Sequence, residues 1–229
     1  MSFLASPQQI LAQEEARQAS MIESLEPSKA IISKSHFVEW FDGDVLDSVW
    51  EQNNIIGVGT YAMVDAIDEG FRLAVDAVNP QLSSITAGKS LQHFDPTSSI
   101  ISSVQRRSSA QGTVQWGLGN RTDGDLGNTL DQSATFQEVS TLTFVRLSTI
   151  NTLSQSTVDT SLPVNTNFHH TKIDLSASNV QGIIDGILEA TLTTDLPDAS
   201  SPLYPGFKIS TFAVAVAEGR IKFMEVFNK

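Results

Sequence analysis

Clustered carboxylates, a histidine pair and three tryptophans are the residues of this 229-residue chain whose types and spacing could do chemistry. Asp123-Gly124-Asp125-Leu126-Gly127-Asn128, with Asp131 close behind, sets hard oxygen donors on a glycine-rich loop. Ca²⁺ takes such donors, and Asp123, Asp125 and Asn128 are the candidate ligands. The spacing is not that of an EF-hand loop, and a polar surface turn with glycine supplying positive φ accounts for it better. Asp42, Asp44 and Asp47 form a second acidic group, read as a solvated edge. His169-His170 invites a metal, yet neighbours on a strand point to opposite faces, so one buried and one exposed imidazole is expected instead. Trp50 reads as core. Trp116 lies in the strand-like segment Val114-Gln115-Trp116-Gly117-Leu118 and is the candidate glycan contact, with its face set by strand register. Gly57-Val58-Gly59 and Gly117-Leu118-Gly119 open no helix, so nucleotide binding has little support.

The elements that must position these residues are mostly strands. His170, Lys172 and Asp174 alternate with Thr171, Ile173 and Leu175, the period of two of a half-buried strand. Ser176 to Asn179 supplies a turn, and Val180 to Ile184 resumes an apolar strand that stops at Asp185-Gly186. Both central residues of a type I′ turn need positive φ, which makes Asp-Gly a strong hairpin signal. Ile187 to Thr194 is then the return strand. The chain has no cysteine, so neither disulfides nor thiol chemistry are available. Its formal charge of −12 argues against nucleic acid as a direct partner. No apolar run approaches the ~20 residues of a membrane helix, and no signal peptide is recognisable.

The first thirty-five residues differ in kind. Ser6 can cap a helix, Pro7 suits its first position, and Pro27 ends it. The sparse apolar stripe Ile10, Leu11, Met21, Ile22 and Leu25 is expected to form an assembly arm docking on a partner. The expected organisation is therefore an arm or linker over residues 1–35 and one sandwich domain over 36–229.

The hairpin ending in Asp185-Gly186 resembles one found late in the concanavalin A-like lectin/glucanase (LamG-like) superfamily. Phe41-Asp42-Gly43-Asp44 with Leu46, Asp47 and Trp50 is similar to the opening of such domains. Glu69 to Leu73, His93 to Pro96 with Ile100 to Val104, and Lys208 to Phe227 fit later strands. The resemblance covers about residues 37–229 and implies an all-β jelly-roll sandwich of two antiparallel sheets. Its glucanase branch places Glu-x-Asp-x-Glu on one strand face, because retention needs two carboxylates about 5 Å apart and residues i, i+2 and i+4 share a face. The segment similar to that strand, Gly112 to Leu118, has no acid, and Asp65, Asp68 and Glu69 do not share a face.

These features lead to the expectation of a non-enzymatic virion structural protein of the kind found in phages. It would be a homo-oligomeric capsid decoration or head- or tail-associated protein, bound to capsid or tail partners through its arm. The alternative is a lectin-like carbohydrate-binding module that recognises host surface glycans. Neither reading requires a cofactor.

Overall fold

The computed structural model describes residues 36–41, 46–57, 59–63, 70–75, 81–87, 94–107, 112–127, 131–139, 141–211 and 216–229. The arm residues Ile10, Leu11, Met21, Ile22 and Leu25, the acids Asp42, Asp44, Asp65, Asp68 and Glu69, and Asn128 lie outside the described residues.

The described chain is all strand and turn, with no helix. In order the strands are β1 (His36–Trp40), β2 (Glu51–Ile56), β3 (Gly59–Met63), β4 (Phe71–Val75) and β5 (Gln81–Thr86). They continue as β6 (Ser99–Arg107), β7 (Thr113–Gly119), β8 (Gln132–Val139), β9 (Phe144–Asn151) and β10 (Ser154–Pro163). The last are β11 (His169–Leu175), β12 (Val180–Ile184), β13 (Ile187–Leu192), β14 (Tyr204–Thr211) and β15 (Ala217–Asn228). Two sheets result. The seven-stranded sheet runs β10-β9-β8-β7-β14-β5-β2, and the eight-stranded sheet runs β13-β12-β11-β6-β15-β4-β3 with β1 also on β15. All pairings are antiparallel. Along one edge β15 serves β4 over Ala217–Ile221 and β1 over Phe223–Phe227.

Local chemistry explains the best-defined hairpin. β11 alternates buried and less buried residues over its whole length, as its period of two requires. At the β12–β13 turn Asp185 has φ 50° and Gly186 φ 83°, the pair of positive values that an Asp-Gly turn supplies. The Asp185 carboxylate also fastens the turn. Its Oδ1 accepts from the His170 amide at 2.9 Å and its Oδ2 lies 2.8 Å from His169 Nδ1. His169 is buried and His170 exposed, so the pair splits across the strand.

The core lies between the sheets. Trp116, Phe136, Phe207, Leu147 and Ile85 face inward from the seven-stranded sheet, and Ile101, Ile173, Leu73, Ile221 and Met224 from the other. Each such side chain contributes about 1.5–3 kcal/mol on burial. One polar network crosses this layer: Trp116 Nε1 donates to Thr171 Oγ1 at 2.9 Å, and Thr171 and Ser103 both reach Gln105 Oε1. Trp116 is thus 1% exposed and points away from solvent. It cannot serve as a sugar-stacking platform, which corrects the expectation of Trp116 as a glycan contact. The reason is register: Trp116 partners Phe136 and Phe207 across β8 and β14, and all three share the inner face.

Candidate functional site

Because Trp116, Phe136, Phe207 and Leu147 point inward, residues one position away on each strand form the outer face of the seven-stranded sheet. Cross-strand partners on that face, read from β10 to β2, are Asp159, Arg146, Gln137, Gln115, Lys208, Ser84 and Asn53. Every strand contributes a polar side chain to this rung. The rung beside it reads Thr157, Ser148, Thr135, Gly117, Gly206, Thr86 and Glu51. Hydroxyls flank two central glycines, so the middle of the face is low. Gly117 is required there: its φ is 151°, and a Cβ would come within 2.3 Å of the Ala134 carbonyl oxygen.

The two ends of the face differ. At the β9–β10 end Gln155, Thr157 and Asp159 are exposed and Arg146 half-buried. Arg146 Nε donates to Asp159 Oδ1 at 2.7 Å, and Gln155 Nε2 donates to Ser148 Oγ at 2.9 Å. At the β14–β5 end the loop 121–127 folds back onto the sheet. Ser84 Oγ donates to the Asp123 carbonyl at 2.5 Å, Leu126 packs over Gly119 and Gly206, and Gly127 lies over Gln115 and Lys208. Lys208 Nζ donates to Asp125 Oδ1 at 2.7 Å, and their side chains are only 7% and 14% exposed. Burial pushes the Lys208 ammonium below the ordinary lysine value, with Asp125 opposing the shift. Arg121 binds Asp123 and reaches Asp131 at 3.3 Å. Its hydrogen bonds hold the Asp123 carboxyl below the usual carboxylate range against the effect of burial.

This geometry corrects the reading of the loop. Asp123 and Asp125 are each neutralised by a cation, leaving no free acid pair for Ca²⁺, and no group of three or more acids, histidines or cysteines gathers among the described residues. Nor is the loop a solvated turn, since Gly124 and Leu126 are buried. Asp47, from the other acidic group, closes a local turn, with Oδ1 accepting from the Val49 amide at 3.0 Å.

Sequence reasoning missed β8. Its outer face presents Ser133, Thr135 and Gln137 at i, i+2 and i+4, one strand away from the segment Gly112 to Leu118. Among the described residues, β8 carries no carboxylate on that face. The Ser133 and Thr135 hydroxyl oxygens are buried without a hydrogen-bond partner. A polar alternation in Ser133-Ala134-Thr135-Phe136-Gln137 was the available signal.

No protein-family model matches the chain, and no curated protein matches it. Solved structures do. An apo Crh5 transglycosylase matches with TM-score 0.61 and 15% identity, over 88% of this chain and 87% of that one. A Bacillus licheniformis β-glucanase matches with TM-score 0.60 and 12% identity, over 85% and 99%. The Emp47p carbohydrate recognition domain matches with TM-score 0.57 and 13% identity, over 87% and 97%.

The fold is that of the concanavalin A-like lectins and glucanases. These comparisons overturn the expectation of a non-enzymatic virion structural protein. The structural neighbours are mostly glycosidases and transglycosylases, with a lectin domain among them, and that set is carbohydrate-active.

Proposed function

We propose that the protein binds a polysaccharide on the outer face of its seven-stranded sheet, entering from the β8–β10 end. The observation that carries this reading is the polar rung from Asp159 to Asn53, open at Asp159 and Arg146 and covered by the loop 121–127 over Gln115, Lys208 and Ser84, beside a second rung of hydroxyls and glycines. Amides and hydroxyls both donate and accept, which matches the dual character of sugar hydroxyls. Arg146 is paired with Asp159 and Lys208 with Asp125, so the two cations of the rung carry counter-charges and suit a hydroxylated ligand better than an anion. Half-buried Arg146 and, mostly buried beside it across β8 and β9, Gln137 are the proposed central contacts at the β8–β10 end.

Laminarinase and β-1,3-1,4-glucanase are among the neighbours, so laminarin and mixed-linkage β-1,3-1,4-glucan are the first probes. Affinity electrophoresis should show retardation of the wild-type chain. The Gln137→Ala/Arg146→Ala variant removes two hydrogen-bonding side chains at ~1 kcal/mol each and should bind roughly tenfold to thirtyfold more weakly. Assaying the same mixtures for reducing ends and transferred oligosaccharides tests for coupled glycosyl transfer. Absence of retardation, or equal retardation of the variant, would refute the assignment.

A further inference from the structure

The eight-stranded sheet carries an exposed aromatic shelf on its own outer face, on the opposite side of the sandwich from the polar rungs. Trp40 is 57% exposed, whereas Trp50 is 5% and Trp116 1%. On β1 and β15 the outward cross-strand partners are Trp40 with Phe223, Val38 with Glu225, and His36 with Phe227. The Trp40 and Phe223 rings lie 4.5 Å apart between centroids, so the indole is propped by a second ring and one face stays open. His36 Nε2 meets Glu225 Oε1 at 2.8 Å and stands edge-on to Phe227. A groove of about 340 Å³ lined by His36, Glu225, Phe227 and Asn228 lies on this face.

We propose that this shelf and groove form a second saccharide-binding site. The choice of ligand rests on the proposed function; the site stands on its own geometry. Trp40 is not an isolated apolar side chain, since it stands against Phe223 on the outward side of β1 and β15. Here its open face suits the C–H surface of a pyranose, while the imidazole, carboxylate and amide of the groove offer hydrogen bonds to ring hydroxyls. A protein partner fits less well. A stable interface engages about 20–30 residues a side, and the shelf and groove together offer six. With sites on opposite faces, one chain could hold two glycan strands and gain avidity on a polymer.

Iodide quenching of tryptophan emission reads this site directly, because of the three tryptophans only Trp40 is open to the quencher. A β-1,3-glucan hexaose should protect Trp40 in the wild type and equally in the Gln137→Ala/Arg146→Ala variant. In that background Trp40→Ala should weaken the residual binding about tenfold, and Trp40→Phe should largely restore it. If wild type is retarded by the glucan while Trp40 stays quenchable, this inference fails and the proposed function stands. Loss of Trp40 protection in the Gln137→Ala/Arg146→Ala variant would also overturn it. No retardation of wild type would refute both. Protection that grows with protein concentration in the absence of sugar would overturn the saccharide site in favour of self-association.

Discussion

The Lys208–Asp125 pair offers the sharpest test of how the loop 121–127 is held over the seven-stranded sheet. Asp125→Asn leaves the Lys208 ammonium buried without its counter-charge. Removing one partner of a buried ion pair costs about 3–5 kcal/mol. For a chain of this length ~1 kcal/mol corresponds to about 2–4 °C, so Tm should fall by roughly 6–20 °C. Lys208→Met should cost less, about 1–3 kcal/mol, because Asp125 is the more exposed partner. The double variant should return to within about 1 kcal/mol of wild type, since both charges are gone and the methionine fills the same space. Urea denaturation of the four proteins gives the coupling directly. A pH arm adds an independent check. The folded pKa of Lys208 lies below the unfolded value of 10.5, so the native state releases this proton first. Between the two values the unfolded chain binds more protons, and stability should rise with pH through that window. Lys208→Met should remove this component of the rise. A coupling below ~0.5 kcal/mol would refute the buried pair as the latch of the loop.

Two further outcomes follow from packing. Thr135→Val replaces a buried hydroxyl that has no partner with a methyl of similar size, and should stabilise the chain by about 1 kcal/mol in urea denaturation. Gly182→Ala should destabilise by about 1–3 kcal/mol in the same unfolding assay, because the new Cβ would sit 2.8 Å from Phe136 Cζ and 3.3 Å from Leu147 Cδ1.

What the sequence revealed depended on contrast between strand faces. β11 alternates because one side meets the core and the other does not, and Asp185-Gly186 marks the turn by local backbone preference alone. β8 alternates in polarity over Ser133 to Gln137, but both of its faces are buried, as are those of β7, so the alternation did not tell which side of Trp116, Ser133, Thr135 or Gln137 meets the core. The loop 121–127 failed for a different reason. Asp, Gly and Asn read as solvated turn residues, yet the group that draws Asp125 inward is Lys208, 83 positions away. Local chemistry cannot anticipate such a partner. The paired strands that build the rungs are equally non-local, so their alignment emerges only from register.

A sheet face that needs nothing but cover is best made of valine, isoleucine and leucine, which gain ~25 cal/mol for each Å² removed from water. Ser133, Thr135, Ser148, Gln115 and Gln137 are all buried on this face instead. Two of them hold hydroxyls without a hydrogen-bond partner, each at a penalty of about 1–3 kcal/mol. Stability alone does not select that arrangement. On the opposite side of the same β8 strand Ala134 and Phe136 pack in the core beside the buried Glu138. The layer between the sheets holds buried polar groups too, but there Trp116, Thr171, Ser103 and Gln105 share one hydrogen-bonded network. Trp40 breaks the same rule in the other direction, an apolar surface left open on the far sheet. Both departures fall on outer faces, which is where the two proposed saccharide contacts are placed.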